Sequence, residues 1–338
     1  MTEVLYRKYR PSKFSEVVGQ DHVVKILEAE AKSGEISHAY LFAGTRGTGK
    51  TSIARIFADA IGTSKNDIYE IDAASNTGVD DIRSLNESVF TLPFESKYKV
   101  YILDEVHMLS KSANNALLKT LEEPPSHVVF ILATTETHRI PETVLSRCEV
   151  YNFKKPNQDI LKKVVLNIVK KEGLKMDEGS AELIAILGDG SFRDTLGILQ
   201  KIISYSSDKN ISEEEVRLVT GAPQVELLHE VVRSLASKDG ASGLDAVKKA
   251  VSQNIDMTVF IKLLLQLVRN ILLAKFGNIS SMKEDLSNAE FEFVTSMAKE
   301  GNFSSTVLIE LLTALDRTSG SYIQSLPLEL AIINISNS

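Results

Sequence analysis

Cysteine occurs once, at Cys148, and tryptophan not at all. A lone cysteine can neither close an internal disulfide nor build a Cys-cluster zinc site. The six histidines are scattered, with no pair at metal-ligand spacing. No low-complexity tract or internal repeat is present. No apolar run approaches the roughly 18 residues that a bilayer span needs. The first residues show no signal-peptide h-region, so a cytoplasmic chain with no membrane partner is the default. Excess positive charge is missing too: 38 Lys+Arg stand against 45 Asp+Glu, a net charge of −7. By segment, residues 1–155 hold 19 basic and 21 acidic groups, 156–222 hold 9 and 11, and 223–338 hold 10 and 13. A protein that grips nucleic acid by bulk positive charge is disfavoured. One that meets phosphates with a few placed side chains and backbone amides is not. What is present, 43% hydrophobic and 25% charged residues among 338, is the soluble globular balance. It allows a sizeable core and two or three domains.

The first half alternates strand-like and helix-like stretches. Residues 39–43, 68–72, 99–103 and 128–133 are short, apolar and rich in β-branched or aromatic side chains. Strands spaced by helices imply βαβ units, an α/β fold and a parallel sheet. One intervening helix is well bounded. Ser110 or Ser112 caps it, Ala113, Ala116, Leu117 and Leu121 give it an apolar face, and Pro124-Pro125 stops it. After Phe153 the strand signals cease. Lys154-Lys155-Pro156 reads as a hinge, and Leu161, Val164, Val165, Ile168 and Val169 follow at helical spacing. Two more helices are expected near 178–187 and 192–205. Gly221-Ala222-Pro223 marks a second boundary, beyond which everything reads helical. Residues 257–276 are apolar around most of the circumference, with Lys262, Gln266, Arg269 and Asn270 as a polar stripe. That face belongs to a core helix or a subunit interface. With Val307, Leu308, Leu311, Leu312 and Leu315 it is the expected glue of an assembly.

Gly44-Thr45-Arg46-Gly47-Thr48-Gly49-Lys50-Thr51 is a full G-x-x-x-x-G-K-[ST] match, placed after a strand and opening a helix over 51–61. Its glycines let successive N–H groups turn toward phosphate oxygens. Lys50 neutralises the β/γ phosphates, and the Thr51 hydroxyl reaches Mg²⁺. Ser52 completes the nucleotide-binding run. Further on, an apolar strand ends in Asp104-Glu105, the pair that a metal-dependent NTPase requires. Asp104 holds the Mg²⁺ shell, and Glu105 orients or deprotonates the attacking water. His107 either takes part or fills space beside the site. Thr135 ends the next strand, as a γ-phosphate sensor or a plain β-former. Arg147, in Ser146-Arg147-Cys148, is a surface charge or an arginine finger supplied in trans to a neighbour's ATP. Cys148 reads as a small buried residue, not a nucleophile. In Gly190-Ser191-Phe192-Arg193-Asp194 a cation opens a helix against its dipole. A γ-phosphate would relieve it, and Asp194 offers a local alternative.

This order of motifs resembles the AAA+ clamp-loader ATPases, on the gamma/tau side of bacterial DNA polymerase III. The resemblance rests on VLYRKYRPSKFSEVVGQDHVV (4–24), HAYLFAGTRGTGKTSIARIFA (38–58), DEVHMLSKSANNALLKTLEEPP (104–125) and ATTETHRIPETVLSRC (133–148). It is dense over 1–205 and only a helical pattern beyond about 220. It implies a RecA-like AAA+ domain over 1–155, a three-helix lid over 156–222 and an all-α collar over 223–338. It implies ATP and Mg²⁺. The segment with Tyr6 and Arg10, together with Val17 and Val18, would line the adenine pocket. Lys50, Thr51, Asp104, Glu105, Thr135 and Arg193 would form the in-cis site, with Arg147 acting on the next subunit. The implied partners are other clamp-loader subunits in a pentameric ring, a sliding clamp and primer–template DNA, with the chain nucleoid-associated in a bacterial cytoplasm.

Three departures stand out. The family's four-cysteine zinc module is replaced by Gly62-Thr63-Ser64-Lys65-Asn66-Asp67, so no zinc is expected. Asn76, Thr77 and Gly78 stand where the family tends to be basic, which weakens a DNA contact there. The tau-type C-terminal extension that the resemblance would imply is not among the 338 residues, so a gamma-length chain is expected, either naturally short or cut from a longer one. Two other functions compete: a structural clamp-loader subunit with a dead site, and another AAA+ remodeller such as a branch-migration helicase. Intact Lys50, Asp104, Glu105 and Arg193 oppose the first. Ser146-Arg147-Cys148 and the helical C-terminal third oppose the second.

Overall fold

Five strands form one all-parallel sheet: β1 (Ala39–Ala43), β2 (Ile68–Asp72), β3 (Lys99–Asp104), β4 (Val128–Thr134) and β5 (Glu149–Asn152), in the order β2-β3-β4-β1-β5. The computed structural model describes residues 3–75, 78–206, 208–277, 288–301 and 303–337. β1 and β4 are buried at every position because helices cover both sheet faces. Alternate residues serve opposite faces. Leu41, Tyr101, Leu103, Phe130 and Leu132 pack with α4 (Val79–Val89), α5 (Lys111–Glu122) and α6 (Glu142–Leu145). Tyr40, Phe42, Val100, Ile102 and Ile131 pack with α2 (Asp21–Ser33) and α3 (Lys50–Ala60), and a short α1 (Leu5–Lys8) precedes these elements in the chain. Ser110 is the cap of α5, accepting the Ala113 N–H at 3.2 Å. Strand β5, at the sheet edge, escaped the sequence reading because it is four residues long and only Val150 and Tyr151 among them are strand formers, set between Glu149 and Asn152.

The short connection after α3 is closed by a carboxylate. Asp67 is buried and accepts the backbone N–H groups of Phe94, Glu95 and Ser96. Burial alone would raise its pKa, but these donors hold it at about 2. Nearby, the buried Lys99 ammonium donates to the Ser88 carbonyl at 2.8 Å and to Thr91 Oγ1 at 2.7 Å. The loop that these two charges anchor exposes Phe90, Leu92 and Phe94.

By contacts the chain divides into two units, Met1–Ile168 with Gly188–Gln200, and Val169–Leu187 with Lys201–Ser338. The span 156–222 holds α7 (Gln158–Lys171), α8 (Glu178–Leu187), α9 (Phe192–Tyr205) and α10 (Glu213–Thr220). The last adds a fourth helix to the three that the pattern predicts. It opens on a Ser212/Glu215 capping box and ends at Gly221 in the left-handed region. A two-residue parallel ladder joins β6 (Lys175–Met176) to β7 (Asn210–Ile211).

From 223 onward the described residues form helices and no strand: α11 (Val225–Ser237), α12 (Gly240–Ser252), α13 (Met257–Lys275), α14 (Asn288–Glu300), α15 (Ser305–Thr318) and α16 (Leu326–Asn337). Helix α13 corrects one expectation. It is 19 residues long with a mean hydropathy of 1.7, enough by length and composition to cross a bilayer. Half of that window is buried in the structure. Phe260, Ile261, Leu264, Val268 and Ile271 are buried where α13 packs on α11, α14 and α15, as in a core helix. The expected glue is also redistributed. Val307 and Leu311 are used up inside this unit, whereas Ile309, Leu312, Tyr322, Ile323, Leu326, Leu330 and Ile333 stay exposed.

Candidate nucleotide-phosphate site

The phosphate loop starts where β1 ends, with the Gly44 N–H bonded to the Thr134 carbonyl of β4 at 3.1 Å. It then turns through Gly47 at φ +75°. A Cβ there would lie 2.0 Å from Ser191 Oγ, and the Gly47 carbonyl accepts the Phe192 N–H at 2.9 Å. Glycine is thus required twice, by backbone sign and by close approach. Thr48 pins the turn by donating its hydroxyl to the Thr45 carbonyl at 2.8 Å, and Thr45 and Arg46 are exposed. The backbone N–H groups of Arg46 through Ser52 make no hydrogen bond within the described structure. A run of unpaired amides, curling into the N-terminus of α3 through Gly49 at φ +101°, fits an anion of phosphate type.

Lys50 is buried beneath this loop, its ammonium donating to the carbonyls of Gly44 (2.8 Å) and Thr45 (3.0 Å). Burial pushes its pKa down, while Glu105 and Asp104 push it back up. Thr51 Oγ1 donates to Asp104 Oδ2 at 2.8 Å. A hydroxyl and a carboxylate at this distance are a donor set of the oxygen type that suits Mg²⁺.

Glu105 adopts φ +50° and ψ +44°, a left-handed conformation costing on the order of 1 kcal/mol for a residue with a Cβ. Its carboxylate accepts from Thr135 twice, from Oγ1 at 2.9 Å and from the backbone N–H at 3.3 Å. His107 is not loose filling. Its Nδ1 lies 3.2 Å from Thr134 Oγ1 and 3.5 Å from Glu105 Oε2, and its Nε2 lies 3.5 Å from Glu136 Oε1. Glu136 in turn pairs with Arg139 at 2.8 Å.

The N-terminal segment and the start of α9 bring further cations. The Arg193 guanidinium lies 5.9 Å from the centroid of the Tyr6 ring, so its partner is that ring and not Asp194. Arg10 donates from Nε to Ser52 Oγ at 2.9 Å. Its pKa is lowered first by burial and then by Arg55 and Arg193, against the pull of Glu70 and Asp104. Arg10 therefore stands with the phosphate-side cations. Val17 packs into the core beside α2 and α3, whereas Val18 is exposed.

Gln20 was missed by the sequence reading. It is buried, donating from Nε2 to the carbonyls of Thr48 (3.3 Å) and Lys154 (2.7 Å) and accepting the Lys154 N–H at 3.1 Å. It ties the phosphate loop to the chain leaving β5. No local pattern marks it, since its partners lie 28 and 134 residues away.

Arg147 is not brought into this group. Its partners are Glu122, Thr143 and Ser146, none of them on the phosphate loop. Burial pushes the neighbouring Cys148 thiol up to about 12. Of the three residues noted for lacking positive charge, Asn76 and Thr77 lie outside the described residues, and Gly78 donates its N–H to Asp81 Oδ2 at 3.2 Å.

A family model described as DNA polymerase III, delta subunit, matches residues 19–74 and 62–157. A second, described as DNA polymerase III subunits gamma and tau domain III, matches 211–338. The DNA polymerase III subunit tau of Bacillus subtilis strain 168 is 42% identical, covering 81% of this chain and 52% of that protein. The gamma/tau subunit of Mycoplasma genitalium is 34% identical, over 98% of this chain and 61% of its own length. The tau subunit of Escherichia coli K12 is 36% identical, over 81% and 46%. The chain thus spans about half the length of the B. subtilis and E. coli relatives. Among solved structures, the Thermotoga maritima RuvB Holliday junction branch migration motor superposes with a TM-score of 0.54 at 21% identity, covering 67% of this chain and 79% of that one. At that identity the likeness speaks to fold alone.

Proposed function

The chain belongs to the DNA polymerase III gamma/tau family of AAA+ clamp-loader subunits, and from that premise we propose that it is an ATP-hydrolysing motor subunit that helps to load a sliding clamp onto primer–template DNA. The observation that carries this reading is the convergence of Lys50, Thr51, Asp104, Glu105, Thr135, Arg10 and Arg193 around one loop of unpaired amides. Their types and order match the needs of phosphoryl transfer, which is catalysed mainly by positioning and charge neutralisation. A structural subunit with a dead site has no use for the strained Glu105.

Each side chain then has a task. The amides of 46–52 and the Lys50 ammonium hold the β and γ phosphates. Thr51 and Asp104 would hold Mg²⁺, which when bound neutralises charge developing on the transferred phosphoryl group. Glu105 takes the proton of the attacking water, and Thr135 fixes which way that carboxylate points. Arg193 reaches the γ-phosphate from the start of α9, with Tyr6 bracing its guanidinium. Residues 156–222 serve as a lid and 223–338 as a collar. The exposed apolar residues of α15 and α16 support assembly with like subunits in a pentameric ring. In that ring Arg147 acts on the neighbour's nucleotide.

The test is ATP hydrolysis by the assembled complex with and without clamp and primed DNA. Stimulation that Lys50→Ala abolishes is the expected result. Equal rates with wild type and Lys50→Ala chains would overturn the motor role.

A further inference from the structure

Arg147 is held by its own subunit in a way that leaves one edge open. Nη1 donates to the Thr143 carbonyl at 2.7 Å and to Ser146 Oγ at 3.3 Å, while Nη2 donates to Glu122 Oε1 at 2.6 Å. A guanidinium carries five N–H donors in a rigid planar fork. The Nε–H and the second Nη2 hydrogen take no partner among the described residues. These two form the edge that meets two oxygens of a phosphoryl group side by side. The open edge is not a result of burial, since the side chains of Arg147 and Glu122 are 31% and 51% exposed. So exposed a pair adds little to fold stability. What it does supply is orientation, because an unpaired arginine on a surface samples many rotamers.

We propose that Glu122, the last residue of α5, is a positioning residue for Arg147. It accepts from Nη2 and leaves Nε–H without a partner among the described residues, and so holds the guanidinium with its Nε available to the phosphoryl group of a nucleoside triphosphate bound by the adjoining subunit. This rests on the in-trans reading of Arg147 given above. Glu122 touches no reacting atom. Its contribution is that the finger arrives already oriented, and misplacement of such a group costs about ten- to a hundredfold in rate.

The experiment uses complexes assembled with more than one copy of this chain, with clamp and primed DNA. Glu122→Gln and Glu122→Ala should lower kcat by about ten- to a hundredfold, with KM for ATP, ATP affinity of the isolated chain and melting temperature unmoved. Mixing supplies a readout that a merely structural role would not move. Glu122→Ala chains should regain activity when mixed with Lys50→Ala chains, because some interfaces then pair an intact loop with an intact finger. Mixed with Arg147→Ala chains they should regain none. An unchanged or raised rate in the Glu122 variants, weakened ATP binding by the isolated chain, or recovery with Arg147→Ala would overturn the proposal. Arg147→Ala alone separates the two ideas. If it leaves the assembled rate intact, the in-trans reading fails and the inference with it. If it stops hydrolysis while both Glu122 variants run normally, the reading stands and only the inference falls.

Discussion

Glu105 combines a backbone conformation that side chains normally avoid with a carboxylate bonded to Thr135. Strain of this kind persists only where surroundings over-determine it, and it gathers at functional sites. Replacing it with glutamine keeps shape and an acceptor oxygen but removes the base. Glu105→Gln should therefore bind ATP as the parent does and turn it over about 10²–10⁴-fold more slowly, measured by equilibrium binding beside single-turnover hydrolysis. Cys148 gives a second prediction with a pH sign. Burial lifts its thiol from 9.0 to about 12, so the folded state favours the protonated form. The stability this confers is present below about 9 and is lost as pH rises toward 12. At pH 8 a maleimide should react with the folded chain far more slowly than with the denatured one; equal rates would show the thiol to be accessible. Lys50, Thr51, Asp104 and Glu105 were legible in the sequence because each motif is a contiguous run. Gln20 and Glu122 were not, because each acts on groups far away in the chain, and a lone polar residue gives no sign of where it will be buried or what it will meet.

Strands were legible in proportion to how many β-branched, aromatic or aliphatic residues they hold, so that β2, with Ile68, Tyr69 and Ile71, could be read although none of its residues is buried. β1 and β4, apolar throughout, announce themselves, whereas β5, with Val150 and Tyr151 alone, does not. The connection between α3 and β2 is the element whose chemistry the sequence least reveals. With no cysteines to close it, the structure uses the Asp67 carboxylate on three backbone amides of another loop. Hydrogen bonds to a charged group are worth about 1.5–3 kcal/mol. Asp67→Ala should cost about that much in a denaturant titration, and the amides of Phe94, Glu95 and Ser96 should lose hydrogen-exchange protection. The pKa of Asp67 lies below its unfolded value, so its share of stability is present above 3.8 and lost as pH falls toward about 2. Elemental analysis of the purified chain should find no stoichiometric zinc, since nothing in 62–67 can replace the thiolates.

At the scale of the molecule, a change of helical surface should separate folding from assembly. Leu330 and Ile333 on α16 are exposed, so glutamate at both should leave the melting temperature within a few degrees while shifting sedimentation toward single chains. Unfolding instead would show these side chains to be core. A last consequence concerns how the chain can be divided by a cloner. It changes contact unit after Ile168, before Gly188 and after Gln200, so the unit holding the phosphate loop is not one continuous stretch of gene. A fragment ending at 155 would carry the phosphate loop, Asp104-Glu105, Thr135 and Ser146-Arg147-Cys148. It would lack Ser191, Phe192 and Arg193, leaving the Gly47 carbonyl and the Tyr6 ring without their partners. Such a fragment should bind nucleotide more weakly than one extended to 205, and the shortest useful expression boundary lies some fifty residues beyond the point where strand–helix alternation stops.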